Sequence, residues 1–171
     1  MSETIREMIS EADLAARIAE LGEQISKDYE GESVYVICIL RGASFFACEL
    51  AKRITVPVTI DFMTTSSAGT VSSGEVKIKS DVEIPVDGRN VLIVEDIIDS
   101  GNTLHFLQDV FKDRNAKSVR LCTMLDKPDR REVDVDVDYV GFTIPDEFVV
   151  GYGLDYDQKY RNLPYIGVVE L

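Results

Sequence analysis

Glu95, Asp96, Asp99, Ser100, Gly101, Asn102 and Thr103 lie together in one segment, residues 91–103, VLIVEDIIDSGNT. Their types suit work on a phosphorylated ligand that develops positive charge. Gly101 permits tight backbone geometry, and a helix opening beside it offers free amides that can gather around one anion. The Ser100 and Thr103 hydroxyls add hydrogen bonds, so a phosphate monoester can be held without lysine. Glu95 and Asp96 would repel that anion if they faced it. They suit a vicinal diol, a magnesium ion or a developing cation, and all three coexist in a ribose 5-phosphate activated at its anomeric carbon. Capping and turn preferences alone would explain a bare S-G-x-T. They do not explain a strand, two acids and the loop in succession.

The elements that must position these groups read as alternating strands and helices. A helix is expected after Ser10, where Ser10 and Asp13 resemble a capping box and Leu14, Ile18, Leu21 and Ile25 fall on one face. Residues 34–40 (VYVICIL) and 90–94 (NVLIV) are continuous apolar runs, as parallel strands buried on both faces require. Residues 44–53 read as a helix, 58–65 as a strand and 75–79 as a strand antiparallel to it. A helix carries Leu104, Leu107 and Phe111, and strands follow near 119–125, 139–144, 149–153 and 165–169. The alternation predicts an α/β fold with a central, mostly parallel sheet flanked by helices. Residues 64–74 (TTSSAGTVSSG) have almost no apolar payload and read as a long functional loop. Beyond the strand 90–94, Glu95 and Asp96 are expected at its C-terminal end, where open α/β sheets bind ligands.

The 171 residues suffice for one domain with its own core. A net charge of -13 weighs against binding a nucleic-acid polymer or an anionic membrane, both of which need clustered Lys and Arg. No stretch approaches the roughly 18 apolar residues of a membrane span, and the polar N-terminus lacks a signal region. Cys38, Cys48 and Cys122 have no CxxC spacing and are expected as small core residues in a reducing cytoplasm. His105 reads as a partly exposed helix residue. Asp134, Asp136 and Asp138 mimic the start of a calcium loop, but Tyr139 stands where that loop needs glycine. The run is better read as an acidic edge alternating with buried valines.

VLIVEDIIDSGNTL resembles the signature of type I phosphoribosyltransferases. More closely, ILRGASFF, DFMTTSSAGTVSSGEVKI, LDKPDRR and GFTIPDEFVVGYGLDYDQKYRNLPYIGVV, in that order, resemble the bacterial hypoxanthine (guanine) phosphoribosyltransferases. The resemblance implies that fold over residues 1–171, with a small hood built from the N- and C-terminal segments and a mobile loop at 64–74. It implies transfer of a phosphoribosyl group from phosphoribosyl pyrophosphate to a 6-oxopurine, with Mg2+ and a homodimer or homotetramer. Glu95 and Asp96 would hold the ribose hydroxyls, partly through magnesium, and Asp155 would be a further metal ligand at the purine end. Asp99 would be the general base for purine N7; aspartate is a weak base, so its positioning matters. Ile98, Ser100, Gly101, Asn102 and Thr103 would complete the 5-phosphate loop. Lys127 would read the 6-oxo group, Phe148 would stack on the base, and the Val149 carbonyl would read its edge. Leu40, Arg41, Gly42, Ser67 and Arg161 would bind pyrophosphate, with a non-proline cis peptide at Leu40–Arg41.

One departure stands out. The family's loop carries Ser-Tyr where this chain has Ser67-Ala68, which is expected to slow transfer or to let water reach the sugar. The alternative to an enzyme is a regulator that senses phosphoribosyl pyrophosphate or a nucleotide on the same fold. Such a regulator would be expected to carry a basic face or an added nucleic-acid-binding unit, and this chain has neither.

Overall fold

The computed structural model describes residues 3–66 and 75–170. Along the chain these form β1 (Thr4–Ile9), α1 (Glu11–Asp28), β2 (Val34–Ile39), α2 (Ser44–Ala51), β3 (Val58–Thr65), β4 (Ile78–Ser80), β5 (Asn90–Ile98), α3 (Asn102–Asp113), β6 (Ser118–Asp126), β7 (Tyr139–Thr143), β8 (Val149–Val150) and β9 (Ile166–Glu170). The main sheet has the order β4-β3-β2-β5-β6-β7. Its pairs are parallel except for β4, which runs antiparallel to β3. A second sheet, β1-β9-β8, joins the two ends of the chain.

Alternation along the strands builds two apolar layers. Val36 and Cys38 of β2 and Leu92 and Val94 of β5 face α1 and α2, meeting Leu21, Ile25, Phe46 and Leu50. Tyr35, Ile37, Val91 and Ile93 face α3 and its Leu104, Leu107 and Phe111. Fully burying each large aliphatic or aromatic side chain contributes about 1.5–3 kcal/mol, which is why these strands read as unbroken apolar runs. The α1 N-cap forms as expected, with Ser10 Oγ accepting from the Asp13 amide at 3.1 Å.

Several features differ from expectation: the strand expected at 75–79 begins only at Ile78 and the one expected at 149–153 ends at Val150, and four further differences have clear physical causes. β5 continues to Ile98, because its ladder with β6 runs on through Glu95↔Thr123, Ile97↔Leu125 and Ile98↔Asp126. Glu95 and Asp96 therefore lie within the strand rather than after it. β1 (TIREMI), whose apolar Ile5, Met8 and Ile9 do not alternate strictly, is a strand because β9 pairs with it antiparallel. Cys48 is exposed: the buried face of α2 is Phe46, Ala47 and Leu50, and a helical turn points Cys48 away from it. The 133–137 valines are only half-buried and no strand forms there, although they do alternate with exposed acids. Val135 and Val137 pack on the α3 layer, and Gln108 Nε2 donates to the Asp136 carbonyl at 3.2 Å. None of the described helices is long and apolar enough to cross a membrane.

Candidate active site

The parallel ladder between β5 and β6 places the chemistry. Ile98 pairs with Asp126, and the Lys127 amide donates to the Ile98 carbonyl at 3.0 Å. The residues just beyond each strand, Asp99 and Lys127, are thereby adjacent. Lys127 Nζ lies 4.0 Å from Asp99 Oδ1 and 3.8 Å from Asp146 Oδ1, and the lysine side chain is only 9% exposed. A buried ammonium needs such partners. Arg130 Nη1, at 3.6 Å, faces the other oxygen of Asp146.

These groups border a cavity of about 330 Å³, completed by Ile97, Phe148, Val149, Leu154 and Asp155. Phe148 is 54% exposed and its ring is held edge-to-face by Tyr156, with centroids 5.6 Å apart. In the β8–β9 pair, the Phe148 carbonyl accepts from the Val169 amide at 2.9 Å, and Val149 sits opposite Val168. That is a non-hydrogen-bonded pair, so the Val149 carbonyl and amide turn to the open edge of β8.

On the other side of β5 the ladder with β2 ends at Cys38↔Val94. β2 and β5 diverge there, and this is the point at which chain order across the sheet reverses, where α/β folds bind ligands. The Leu40–Arg41 peptide is cis, as the resemblance implied. Gly42 packs against the Asp96 carboxylate so closely that a Cβ would stand 1.7 Å from Asp96 Oδ2. Gly153, at φ +102°, closes on the Gly42 carbonyl, which a Cβ there would approach to 2.0 Å.

A smaller recess of about 90 Å³ lies at the start of α3, lined by Glu95, Ile98, Asp99, Ser100, Gly101 and Thr103 among others. Gly101 is the helix N-cap with φ 85°. The Ser100 carbonyl accepts from the Glu132 and Val133 amides at 3.0 and 3.2 Å, so it does not occupy the first-turn amides of α3. Ser100 Oγ accepts from the Asn102 amide, the first of α3, at 3.3 Å and from Asn102 Nδ2 at 3.1 Å, which leaves its own proton free to donate. Asn102 turns aside, with its side chain also on Glu132 at 3.1 Å. Ile98 is buried and forms part of the floor.

Arg161, by contrast, is paired with Asp155 at 3.1 Å, and its Nη1 also donates to the Gly153 carbonyl at 2.6 Å. Among the described residues, no three acids, thiols or imidazoles converge as a metal cage. Glu95 and Asp96 adjoin as a pair, and Asp155 stands apart from them as a further oxygen donor. Such a set fits magnesium, which commonly takes one or two carboxylates and completes its shell with water and substrate phosphate. Burial pushes the Glu95 carboxyl well above the usual range, and the neighbouring Asp96 charge adds to it. Burial also raises Asp96. A cation or sugar hydroxyls beside the pair would offset that cost.

Ser67 and Ala68 lie outside the described residues. Asp146, Arg130, Ile97 and Leu154 border the cavity without having been expected there. The one available signal was the position of Asp146 two residues before Phe148.

A family model described as the phosphoribosyl transferase domain matches residues 7–157. The chain is 51% identical to a hypoxanthine phosphoribosyltransferase of Salmonella typhimurium, over 100% of this chain and 98% of that one. It is likewise 51% identical to a hypoxanthine-guanine phosphoribosyltransferase of Streptococcus thermophilus, over 95% of this chain and 92% of the relative. A crystal structure of a hypoxanthine-guanine phosphoribosyltransferase from Bacillus anthracis matches with a TM-score of 0.94 at 49% identity, covering 99% of this chain and 100% of that one. These relatives, all named as transferases, do not favour the regulator alternative. With a family model spanning most of its length and full-length relatives at about half identity, the chain belongs to the phosphoribosyl transferase family.

Proposed function

We propose that the protein transfers the 5-phosphoribosyl group of phosphoribosyl pyrophosphate to N9 of hypoxanthine, and of guanine, in purine salvage. The products are IMP or GMP and pyrophosphate. The observation that carries the reading is the placement of Asp99 and Lys127 side by side over one cavity, next to a phosphate-sized recess. In a 6-oxopurine, O6 and N7 are neighbours, so a cationic donor beside a carboxylate matches that edge.

The bond from C1′ to the pyrophosphate oxygen breaks as the bond from N9 to C1′ forms. The electron pair leaves with pyrophosphate, and Asp99 takes the N7 proton. Positive charge builds on the ribose in between, and Glu95 and Asp96 stabilise it while holding the ribose hydroxyls. Lys127 donates to O6, Phe148 stacks on the ring, and the Val149 carbonyl accepts from the base edge. Ser100, Gly101 and Thr103 hold the 5-phosphate, while Arg41 and Arg161 face the pyrophosphate. Glu95, Asp96 and Asp155 would hold magnesium, which would supply neutralising charge for the phosphates. The β1-β9-β8 sheet serves as the hood.

A homodimer or homotetramer belongs to the same reading. Leu40, Phe45, Ile60 and Phe62 are exposed apolar side chains. The β2–β3 register places Ile60 and Phe62 on the same sheet face as Val36 and Cys38, at a strand beside the two that α2 covers. The unpaired cysteines fit a cytoplasmic setting.

Ultraviolet monitoring of hypoxanthine or guanine with phosphoribosyl pyrophosphate and magnesium tests the reading. Nucleotide forms with both bases, and Asp99→Ala loses about 100-fold or more of the rate while still binding phosphoribosyl pyrophosphate. No nucleotide with either base would reject the reading; full activity of Asp99→Ala would reject the assignment of the base.

A further inference from the structure

Arg41, Asp155 and Arg161 come from two separate segments, and one uncharged side chain touches all three. The Gln158 amide and Nε2 donate to Asp155 Oδ2 at 2.9 and 3.1 Å. Its Oε1 accepts from Arg41 Nη1 and Arg161 Nη2, both at 3.2 Å. These partners decide the orientation of the side-chain amide. Turned over, it would set NH2 against two guanidiniums and an oxygen against a carboxylate, with every contact unfavourable. The backbone is also held in place. Asp157, Gln158 and Tyr160 have φ of 50°, 62° and 75°, a left-handed conformation that residues with a Cβ adopt only where the surroundings impose it.

Resting on the phosphoribosyl-transfer reading, we infer that Gln158 is the positioning residue of the pyrophosphate subsite. Asp155 aims its amide, and its carbonyl oxygen gathers Arg41 and Arg161 at one point. A neutral acceptor suits this task. It brings Arg41 and Arg161, the latter already paired with Asp155, together without adding a further negative charge. A carboxylate in the same place would neutralise the arginines and repel both Asp155 and pyrophosphate.

The test compares the full-length protein with Gln158→Leu, which keeps the size but loses every side-chain hydrogen bond, and with Gln158→Glu, which keeps an acceptor but adds charge. Binding of pyrophosphate with magnesium, and separately of IMP, is measured by calorimetry, which needs no turnover. KM values for phosphoribosyl pyrophosphate and hypoxanthine are measured alongside. In Gln158→Leu, pyrophosphate affinity falls and KM for phosphoribosyl pyrophosphate rises, each about tenfold. IMP, which carries no pyrophosphate, binds within about twofold of the unmodified protein, a difference too small to reflect a lost hydrogen bond. Gln158→Glu shows the same split and does not restore pyrophosphate binding. Unchanged pyrophosphate affinity in Gln158→Leu, or equal losses for pyrophosphate and IMP in both variants, would overturn the inference. An unmodified protein that forms no nucleotide would overturn the transfer reading instead, and pyrophosphate calorimetry would still decide the role of Gln158.

Discussion

Asp99 Oδ1 and Lys127 Nζ stand 4.0 Å apart because their strands are parallel neighbours in register, Ile98 against Asp126. An acid that can accept a proton and a cation that can donate a hydrogen bond are thus held at one edge of one cavity. Neither residue could be placed there by its own segment alone.

If Lys127 reads the 6-oxo group as proposed, base selection depends on it. In Lys127→Met, kcat/KM for hypoxanthine is expected to fall on the order of 100-fold, because a buried charged hydrogen bond to the 6-oxo group is lost. Adenine has no oxo group to lose, so its low rate should change far less. Steady-state kinetics with both bases check this, and undiminished discrimination would take Lys127 out of the 6-oxo contact.

Gly42 has no room for a side chain. A Cβ would lie 1.7 Å from Asp96 Oδ2, so Gly42→Ala must displace either the loop or the carboxylate. A shift near 1 Å costs about 100-fold in kcat/KM where geometry is held tightly. The loss should appear in KM for phosphoribosyl pyrophosphate and in the magnesium requirement, with KM for hypoxanthine little changed. A variant with parental kinetics for phosphoribosyl pyrophosphate would mean that the Asp96 contact is irrelevant to the site.

The three cysteines should not react alike. Burial pushes the Cys38 thiol up to about 12 and raises Cys122 as well, whereas Cys48 is exposed. A chromogenic disulfide reagent should titrate one thiol in the native protein and all of them in denaturant. Loss of the rapid native phase in Cys48→Ser would identify it; a persisting rapid phase would contradict the assignment.

Asp61 ties β3 to the segment before β5. Its Oδ2 accepts from the Tyr35 hydroxyl at 2.9 Å and from the Glu83 and Ile84 amides at 2.8 and 3.3 Å. Burial pushes its carboxyl up, but the Phe62 amide and these donors outweigh that and leave it below the usual range. A lowered folded value gives stability that is present above the ordinary aspartate value of about 3.9 and lost as pH falls through the folded value. Asp61→Asn should therefore lower the urea midpoint at neutral pH, by about 1–3 kcal/mol of stability, and flatten the acid limb. An unchanged acid limb would show that Asp61 does not contribute to it.

Ala68 offers a comparison with the family pattern. Ala68→Tyr restores the usual pair after Ser67 and should raise transfer or suppress hydrolysis of phosphoribosyl pyrophosphate, since closing loops exclude water. Equal transfer and equal hydrolysis in both proteins would show that the tyrosine has no role here.

Features with local causes were legible in the chain. The Ser10 cap and the stripe Leu14, Ile18, Leu21, Ile25 needed only a helix. β2 announced itself because burial on both faces demands a continuous apolar run. The loop at the head of α3 was readable because Ser100, Gly101 and Thr103 fall within one turn. Lys127 and Phe148 had no such local signature, and only the resemblance singled them out. β1 was missed because its sequence has no strand alternation and is made a strand by β9, at the far end of the chain.

By itself, then, the sequence determined the alternating elements, the two buried strands and the acid-acid-loop unit at the head of α3, since each depends on neighbours a few residues away. Only the tertiary structure decided that β5 carries Glu95 and Asp96 inside its ladder, that Asp146 faces Lys127, and that Gln158 joins Arg41 to Arg161. These are relations across strand register and loop packing, where side chains distant in the chain meet because the backbone hydrogen bonds of other residues bring them together.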